Sequence, residues 1–303
     1  MQQAHQPVML QECLEQLQIN PAGCYVDCTF GRGGHTAEIL ARLDSNGRVF
    51  ALDRDAEAIE YGKRTIADPR LNLIHAKFSR LEEIALDLDI GAAIDGILID
   101  LGVSSPQLDQ ATRGFSFQHD GPLDMRMDAS AGQSAADWLA NATEETLVSV
   151  LRDYGEERHA RKIARFIVED REKYPITTTN QLAELTRRAI PYANRQRIHP
   201  ATRTFQALRI VVNDELNEIS SVLEQALQVM RVGARLVVIA FHSLEDRIVK
   251  RFFRDMSKTD TPENPGVRKF QLPFRKPLRP SEAEQALNVR SRSARLRVIE
   301  RVA

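Results

Sequence analysis

A glycine-rich turn between an apolar run and an amphipathic segment constrains the fold of this chain more than any other feature. Residues 24–28 are mostly apolar and compatible with a β-strand, residues 36–43 have helical periodicity, and glycines stand at positions 31, 33 and 34. Glycine permits a positive φ and a close approach of the backbone to a ligand. The N–H groups at the N-terminus of the following helix point toward the same ligand. The stretch predicts a strand–turn–helix unit that holds a nucleotide-like ligand, with an ordinary βα turn as an equal alternative.

The spacing of these glycines separates two kinds of nucleotide site. The third glycine of the dinucleotide pattern G-x-G-x-x-G is missing, which counts against an NAD-type dehydrogenase. The order Asp27, Gly31, Gly33 instead resembles the first motif of S-adenosylmethionine (SAM) methyltransferases. Because SAM has no pyrophosphate, its site needs an acid near the amino-acid end of the ligand and a tight backbone approach, not a row of phosphate-binding amides.

A second apolar run, residues 47–53, ends in Asp53. This aspartate follows the glycine turn by about twenty residues, where nucleotide-binding βαβ units place a carboxylate that accepts both hydroxyls of a ribose diol. A solvated loop aspartate is the alternative. Phe78 follows the next predicted strand, residues 71–75, and its ring would offer adenine an apolar surface, although core packing explains an aromatic residue there equally well.

The fourth predicted strand, residues 95–102, is a continuous apolar run that contains Asp100. Such a run is typical of a parallel strand that is covered on both faces. Strands that alternate with helices predict an α/β fold with a right-handed, doubly wound sheet, whose ligands bind at the carboxyl ends of the strands. Asp27, Asp53 and Asp100 all fall at or near those ends.

The loop after Asp100 reads Ser104-Ser105-Pro106-Gln107. It resembles the loop with which amino-methylating enzymes hold carbonyl acceptors toward a target NH₂ group. The amine of cytosine is conjugated with its ring, and acceptors on its hydrogens draw the lone pair out of conjugation and aim it at the methyl group. Gln107 replaces the aromatic residue of the usual motif and Ser105 replaces one proline, so this loop supplies no aromatic partner for the base.

Composition and cysteine content indicate the class of protein and its cellular compartment. Among 303 residues, 43% are hydrophobic and 27% charged, as expected of a soluble globular protein with one large domain or two ordinary ones. No apolar run is long enough to span a bilayer, and no signal segment is recognisable. The three cysteines, Cys13, Cys24 and Cys28, lack metal-ligand spacing. We therefore expect a cytoplasmic protein that uses neither a membrane nor a metal, with cysteines that serve packing.

The charge distribution favours a polyanion partner over a pair of solvated faces, although the net charge is only −1. Six arginines and no acid lie between residues 185 and 213, and ten Lys or Arg residues face three glutamates between residues 268 and 301. The Trp138 ring would stack an unpaired base, although packing in a core is the better single explanation for this tryptophan. The predicted RNA contacts are Arg187, Arg188, Arg195, Arg197, Arg203 and Trp138.

The strand pattern stops after about residue 108, and helical segments continue until about residue 213. This change predicts a helical insertion into the sheet domain. One long helix is predicted from about residue 201 to 230. The proline-rich, basic residues 260–292 are expected to form a mobile loop, in which Ser281 and Glu284 form a capping box that predicts a short helix.

Taken together, the motifs resemble the bacterial family of 16S rRNA (cytosine-N4)-methyltransferases known as RsmH or MraW. They span nearly the whole chain, and the resemblance is weakest near residues 260–290. The motifs that carry it are residues 29–35, 51–55, 100–109, 113–117, 121–128, 154–158, 199–207 and 241–247.

The resemblance implies a Rossmann-like class I SAM-methyltransferase sheet with an inserted all-helical domain. Residues 1–108 and 214–303 then form the two parts of the methyltransferase domain, and residues 109–213 form the substrate-recognition domain. It also implies SAM-dependent methylation of the N4 amine of a cytosine in the P-site region of 16S rRNA. The residues implied to line the SAM site are Gly33, Gly34, His35, Asp53, Phe78, Asp100 and Gln107, of which His35 and Gln107 rest on the resemblance alone.

Asp100, with Ser104, Ser105 and Pro106, is the predicted catalytic group. Asp100 would accept the proton that N4 loses after attack, and the target cytosine must be unpaired or flipped out to reach the methyl group. Two rival functions remain at this point. One is an NAD-type dehydrogenase on the same sheet, and the other is an RNA-binding assembly factor without catalysis.

Overall fold

Seven strands form one sheet in the computed structural model, which describes residues 7–190, 199–258, 260–261, 264–265 and 268–303. A separate pair of two-residue strands, β6 and β7, lies outside that sheet. The strands are β1 (Cys24–Asp27), β2 (Arg48–Asp53), β3 (Leu71–His75), β4 (Ile94–Asp100), β5 (Met230–Ala240), β6 (Asp260–Thr261), β7 (Asn264–Pro265), β8 (Phe270–Gln271) and β9 (Arg295–Arg301).

Thirteen α-helices accompany the strands in these residues. They are α1 (Leu10–Leu17), α2 (Gly34–Leu40), α3 (Ala56–Thr65), α4 (Leu81–Asp87), α5 (Ser105–Asp109), α6 (Ala135–Asn141), α7 (Glu144–Asp153), α8 (Ala160–Arg171), α9 (Thr179–Ala189), α10 (Thr202–Asn213), α11 (Glu215–Val229), α12 (Ser243–Met256) and α13 (Glu282–Leu287). Among the described residues, none of these helices has the length and apolar character that a membrane crossing requires.

The strand order across the sheet is β3-β2-β1-β4-β5-β9-β8. Strands β1 to β5 pair in parallel, and β9 pairs antiparallel with both β5 and β8. Consecutive strands β1, β2 and β3 therefore run outward in one direction, and β4 and β5 lie on the other side of β1. The order reverses at β1, and this is the place where open parallel sheets bind their ligands.

Alternate residues of the central strand β4 enter different hydrophobic cores. Ile97 and Ile99 pack with side chains of α4, α11 and α12, whereas Leu98 packs with side chains of α1 and α2. Successive side chains of a strand point to opposite faces, so helices cover both faces of this sheet. The predicted doubly wound α/β fold is confirmed, and burial on both faces explains why β4 reads as a continuous apolar run.

The chain divides into two compact units. The first unit comprises Met1–Gly102 and Leu216–Ala303 and contains the sheet, and the second, which we call the helical unit, comprises Val103–Glu215. A separate core joins helices α6 to α10 of the helical unit. The predicted boundary at residue 108 lies a few residues inside this unit, because α5 belongs to it.

One expectation about local structure was wrong, and a second was incomplete. The single long helix over residues 201–230 is two helices, because Asp214 takes a left-handed conformation with φ of 53° between α10 and α11. Aspartate is among the few residues that adopt this conformation at modest cost. The stretch 260–292 contains the short helix that its capping box predicted, α13, but it also contributes β8, which extends the sheet. The Glu284 carboxylate in α13 accepts a hydrogen bond from the Met9 N–H at 2.7 Å.

A buried carboxylate joins α12 to β9 within the first unit. Asp246 is 5% exposed, and its two oxygens accept hydrogen bonds from Arg295 at 2.6 Å and Arg297 at 2.7 Å. Burial opposes ionisation of Asp246, but the bonds from Arg297 and Arg295 outweigh it and hold its pKa below the ordinary value. Arg295 and Arg297, which belong to the basic C-terminal segment, therefore stabilise the fold.

We predict that Asp246→Asn lowers the free energy of unfolding by about 2–4 kcal/mol, because two guanidinium groups then face an uncharged amide. Denaturant unfolding followed by circular dichroism measures this loss. Since the native pKa is lowered, the contribution of Asp246 is present above the unfolded carboxyl pKa of about 3.9 and is lost as the pH falls through the lowered value. The difference between wild type and variant should thus shrink on acidification.

Asp255→Asn is the matched control, because Asp255 also pairs with two cations, Arg254 and Lys258, but on the surface. Its unfolding midpoint should equal that of the wild type. Equal destabilisation by both variants, or a difference for Asp246→Asn that persists at acidic pH, would contradict the role of this buried clamp.

Candidate functional site

Two aspartates stand on either side of the carboxyl end of the central strand β1. In the sheet register, Asp27 at the end of β1 pairs with Ala51 in β2 and with Leu98 in β4. Asp53 and Asp100 each lie two residues further along those flanking strands. Adjacent strands are about 4.8 Å apart, so the two aspartates flank a gap of two strand spacings, about 10 Å, above β1.

Asp53 connects β2 to the glycine turn. Its Oδ2 accepts a hydrogen bond from the Gly31 N–H at 2.7 Å, and its Oδ1 accepts one from the Asp55 N–H at 2.8 Å. Burial raises the pKa of Asp53 to about 6, because desolvation outweighs these two donors. Each carboxylate oxygen has a second lone pair, so the ionised group is able to accept two further hydrogen bonds, as a ribose diol requires.

Asp100 is less well satisfied by the protein. Its Oδ1 is buried and has no hydrogen-bond partner among the described residues, and its Oδ2 lies 3.8 Å from His35 Nδ1. Burial raises the pKa of Asp100 well above its ordinary value, and the charges of Asp27 and Glu245 raise it further. A buried carboxylate oxygen without a donor is costly. This oxygen therefore suits a ligand that brings a donor or a positive charge.

His35 lies in the first turn of α2 and is 6% exposed. Its Nε2 is 3.1 Å from the carbonyl oxygen of Val8, which only accepts, so the Nε2 carries a proton. The Nδ1 then faces Asp100. The structure thus brings together two residues, His35 and Asp100, that sequence analysis assigned to the same ligand.

Asp27 has a different place from the one that its motif suggests. It is 1% exposed, and its oxygens accept hydrogen bonds from the Thr29 N–H at 3.0 Å and the Thr36 hydroxyl at 2.7 Å. The Thr29 hydroxyl in turn accepts a bond from the Asp100 N–H at 2.7 Å. Asp27 therefore connects β1, α2 and β4 through buried hydrogen bonds. It is not the accessible acid near a ligand that the sequence predicted.

Packing within the protein explains the glycines of this turn as well as a ligand does. Gly33 has φ of 74° and precedes α2, and a Cβ there would lie 2.7 Å from the Phe30 ring. A Cβ on Gly34 would lie 2.3 Å from Pro7. Larger residues would force these neighbours apart, so packing alone is sufficient to require glycine at both positions.

Phe78 begins the short helical turn that follows β3 and is half-buried. It packs against the core shared by the sheet, α4 and α11. Since β3 borders β2 on the side away from β1, the sequence of groups along the sheet edge is Phe78, Asp53, the glycine turn, then Asp100. The aromatic ring is thus next to the candidate diol site in the strand order.

Ser104, Ser105, Pro106 and Gln107 lie in the helical unit. Ser104 caps α5, and the buried Gln107 side chain accepts a hydrogen bond from the Ser104 N–H at 3.0 Å. The carbonyl of Ser104 accepts the Leu108 N–H at 3.3 Å, and that of Pro106 accepts the Gln110 N–H at 2.9 Å. Each carbonyl oxygen retains a second lone pair. The sequence did not reveal that Gln107 serves as a helix cap.

The predicted RNA-contacting arginines differ in their partners. Arg187 forms hydrogen bonds with Glu184 at 2.7 and 2.8 Å, and Arg188 pairs with Asp170, all on the surface of the helical unit. Arg203 is half-buried and forms no ion pair with any described residue. Arg195 and Arg197 lie outside the described residues.

Arg209 and Trp138, which belong to the segments predicted to contact RNA, form contacts that stabilise the helical unit. Arg209 forms a two-pronged ion pair with Glu215 at 2.7 and 2.8 Å, and both side chains are largely buried, which explains an arginine at this position without RNA. Trp138 packs, partly buried, against the core of the helical unit. His242 caps α12, and its ring lies 3.1 Å from the Glu245 carboxylate.

Comparison with known proteins identifies relatives along nearly the whole chain. A protein of Nitrosospira multiformis named ribosomal RNA small subunit methyltransferase H is 52% identical over 309 residues, which cover 98% of this chain and 97% of the relative. A protein of the same name from Pseudoalteromonas atlantica is 48% identical over 309 residues and 99% of both chains.

Solved structures are more distant. A putative rRNA-methylase from Clostridium thermocellum aligns with 99% of this chain and 100% of its own, with a TM-score of 0.47 and 14% identity. That likeness is too weak to carry an assignment. The sequence relatives do carry one, and residues 2–302 match the MraW methylase family. The chain belongs to the MraW methylase family, as its motifs predicted.

Proposed function

We propose that this chain transfers a methyl group from SAM to the N4 amine of a cytosine in the P-site region of 16S rRNA. The observation that carries the proposal is the pair of carboxylates, Asp53 and Asp100, on either side of the carboxyl end of β1 in a chain of a methylase family. The names of the relatives support ribosomal RNA of the small subunit as the substrate. The choice of cytosine N4 rests on the resemblance of the Ser104–Pro106 loop to amine-methylating enzymes.

The order of groups along the sheet edge fits SAM, which has adenine at one end, a ribose in the middle and an amino acid at the other end. Phe78 would contact adenine, and the Asp53 carboxylate would accept the ribose hydroxyls. Asp100 and His35 would lie at the sulfonium and amino-acid end, where the Oδ1 of Asp100, which has no partner in the described part of the chain, suits a donor or a cation. A dinucleotide site would have the third glycine of G-x-G-x-x-G, which this turn lacks.

When bound, SAM supplies a methyl group that is already activated by its sulfonium for direct transfer to the amine nitrogen. The contribution of this chain is positioning, since in-line geometry between the two reactants removes much of the entropic barrier. Carbonyl oxygens of the Ser104–Pro106 loop accept the amine hydrogens and localise its lone pair. Asp100, whose raised pKa makes its ionised form a stronger base, accepts the released proton directly or through water.

The RNA would contact exposed cations of the helical unit. Arg187 and Arg188 sit in surface ion pairs, which are weak because solvent screens them. A phosphate is able to replace a carboxylate partner of an exposed arginine at little cost, so these pairs are compatible with RNA binding. Arg203 is the third cation of this group, and Arg195 and Arg197 remain predicted contacts.

The direct test is incubation of the protein and SAM with small subunits that lack the modification, followed by mapping of the modified nucleotide. The expected product is N4-methylcytosine at one P-site position. Transfer of label to another base or to no RNA would overturn the proposal, and the absence of transfer despite RNA binding would favour an assembly factor without catalysis.

We predict that Asp53→Ala abolishes SAM binding in isothermal titration calorimetry, because the ribose hydroxyls lose both acceptors. Since the pKa of Asp53 is about 6 in the fold, acidification protonates it. The wild-type affinity for SAM should therefore fall about fourfold between about pH 7.5 and pH 5.5, as the ionised fraction falls.

The isosteric variant Asp53→Asn is the control for that pH dependence. Its affinity should be low at both pH values and should vary much less with pH than that of the wild type. An unchanged affinity in Asp53→Ala would reject the ribose assignment, and an equal pH dependence in Asp53→Asn would assign the titration to another group.

We predict that Asp100→Asn lowers the single-turnover rate of methyl transfer by about 10²- to 10⁴-fold at saturating SAM and RNA, as loss of a general base does. Because only ionised Asp100 accepts a proton, the wild-type rate should rise with pH through the raised pKa, and the variant should lack this rise. The SAM dissociation constant of the variant, measured in parallel, separates a catalytic loss from a binding loss. A variant that retains the wild-type pH profile would contradict the proton-acceptor role.

We predict that replacing Arg187 and Arg188 together by Gln weakens binding to unmethylated small subunits and makes its salt dependence shallower, by up to about 0.7 in slope per lost contact with single-stranded RNA. The matched control replaces Arg152 and Arg165, which sit in similar exposed ion pairs of the helical unit. Equal salt slopes for the two double variants would place the RNA surface elsewhere.

A further inference from the structure

We infer that a basic cavity in the first unit binds an unpaired nucleotide of the RNA substrate together with its flanking phosphates. The cavity has a volume of about 450 Å³ and is lined by the second half of α12, by residues 272–276 after β8 and by β9. None of its lining residues belongs to the candidate SAM site. The inference rests on the proposed function, because it takes the RNA substrate as the ligand.

The charge of the cavity is entirely positive. Six cationic side chains and no carboxylate line it among the described residues, although the whole chain has a net charge of −1. The cavity is therefore a local concentration of positive charge and not part of a generally basic surface, as expected of a site for a polyanion. The six are Lys250, Arg254, Lys258, Arg275, Lys276 and Arg297.

Three of these cations have their charge available to a ligand. Arg297 is held by Asp246, and Arg254 and Lys258 share Asp255. In contrast, the side chains of Lys250, Arg275 and Lys276 are exposed and form no ion pair or hydrogen bond with any described residue. Three like charges around one cavity repel one another, and an anion that enters between them removes this repulsion. Phosphate groups meet that requirement.

The interior of the cavity is apolar, which phosphate alone does not explain. Phe253, Leu272, Phe274 and Val298 line it, and Phe274 is half-buried. Proteins that bind single-stranded nucleic acid combine an electropositive groove with aromatic rings on which bases stack. The volume is within the range of cavities that enclose a small ligand, and a base fits this description better than an extended acidic peptide or a flat anionic membrane surface.

The first test compares two adjacent Lys-Arg pairs of the same unit. One double variant, Arg275→Gln with Lys276→Gln, removes two charges from the cavity, and the other, Lys63→Gln with Arg64→Gln, removes two charges from the exposed end of α3. The probes are unmethylated small subunits and a single-stranded RNA oligonucleotide. The cavity variant should bind both RNAs about tenfold more weakly at low salt, with a slope shallower by up to about 1.4, and the α3 variant should match the wild type.

The second test separates base stacking from charge. Phe274→Leu retains an apolar side chain but removes the ring, and it should weaken oligonucleotide binding about 5- to 30-fold without a change in salt slope, as expected of a stacked base. SAM binding by calorimetry, which should be unchanged in all variants, verifies that each one is folded. Vesicles of anionic phospholipid are the third probe, and the cavity variant should bind them no differently from the α3 variant.

The outcomes separate this inference from the proposed function. If wild-type protein binds RNA through Arg275 and Lys276 but transfers no methyl group, the inference stands and the proposed reaction fails. If methyl transfer occurs and both double variants have the same affinity and salt slope for RNA, the inference fails alone. A loss of vesicle binding with unchanged RNA binding in the cavity variant also overturns it, because the cavity then serves a lipid headgroup.

Discussion

The burial of acidic side chains at the carboxyl end of a parallel sheet is the constraint on which this structure depends. Asp27 is fully enclosed between β1, α2 and β4, and the hydroxyl and N–H donors of Thr29 and Thr36 satisfy it. That internal network fixes the end of β1 relative to the flanking strands. The described residues hold the two flanking carboxylates less completely: Asp53 receives two backbone donors from them, and one oxygen of Asp100 has no donor among them. Carboxylates that the protein leaves incompletely satisfied are costly for the fold, and a ligand that satisfies them gains affinity.

Aspartates at the ends of parallel strands thus have two different roles in this protein. An acid that ends a parallel strand is able to brace the fold, as Asp27 does, or to face a ligand, as we infer for Asp53 and Asp100. The distinction depends on which hydroxyl groups lie within reach, and these come from α2 and from the turn after β1. The raised pKa values of Asp53 and Asp100 follow from desolvation in this crowded end of the sheet.

The basic residues separate in a similar way. Arg209, Arg295 and Arg297 fall in segments whose excess positive charge suggested a polyanion, yet each is held by a carboxylate inside its own unit. Other cations, such as Arg275 and Lys276, have no such partner among the described residues. A count of charges along the chain contains no information about pairing, because the partners Glu215 and Asp246 are identified only once the helices and strands are in place. The surfaces that we propose for RNA are therefore smaller than the sequence indicates, and each unit contains one of them.

The sequence by itself determined the fold class, the first four strands of the sheet and the family. These follow from local patterns: continuous apolar runs that end in aspartate, a glycine turn before an amphipathic helix, and motifs spread along the chain. Tertiary structure alone decided that Asp27 braces the fold, that Gln107 caps α5, that Asp214 divides a helix expected to be continuous, and that a basic cavity forms between α12 and β9. The physical reason is that burial, hydrogen-bond partners and ion pairs depend on residues far apart in the chain, whereas periodicity and turn preference depend on neighbours.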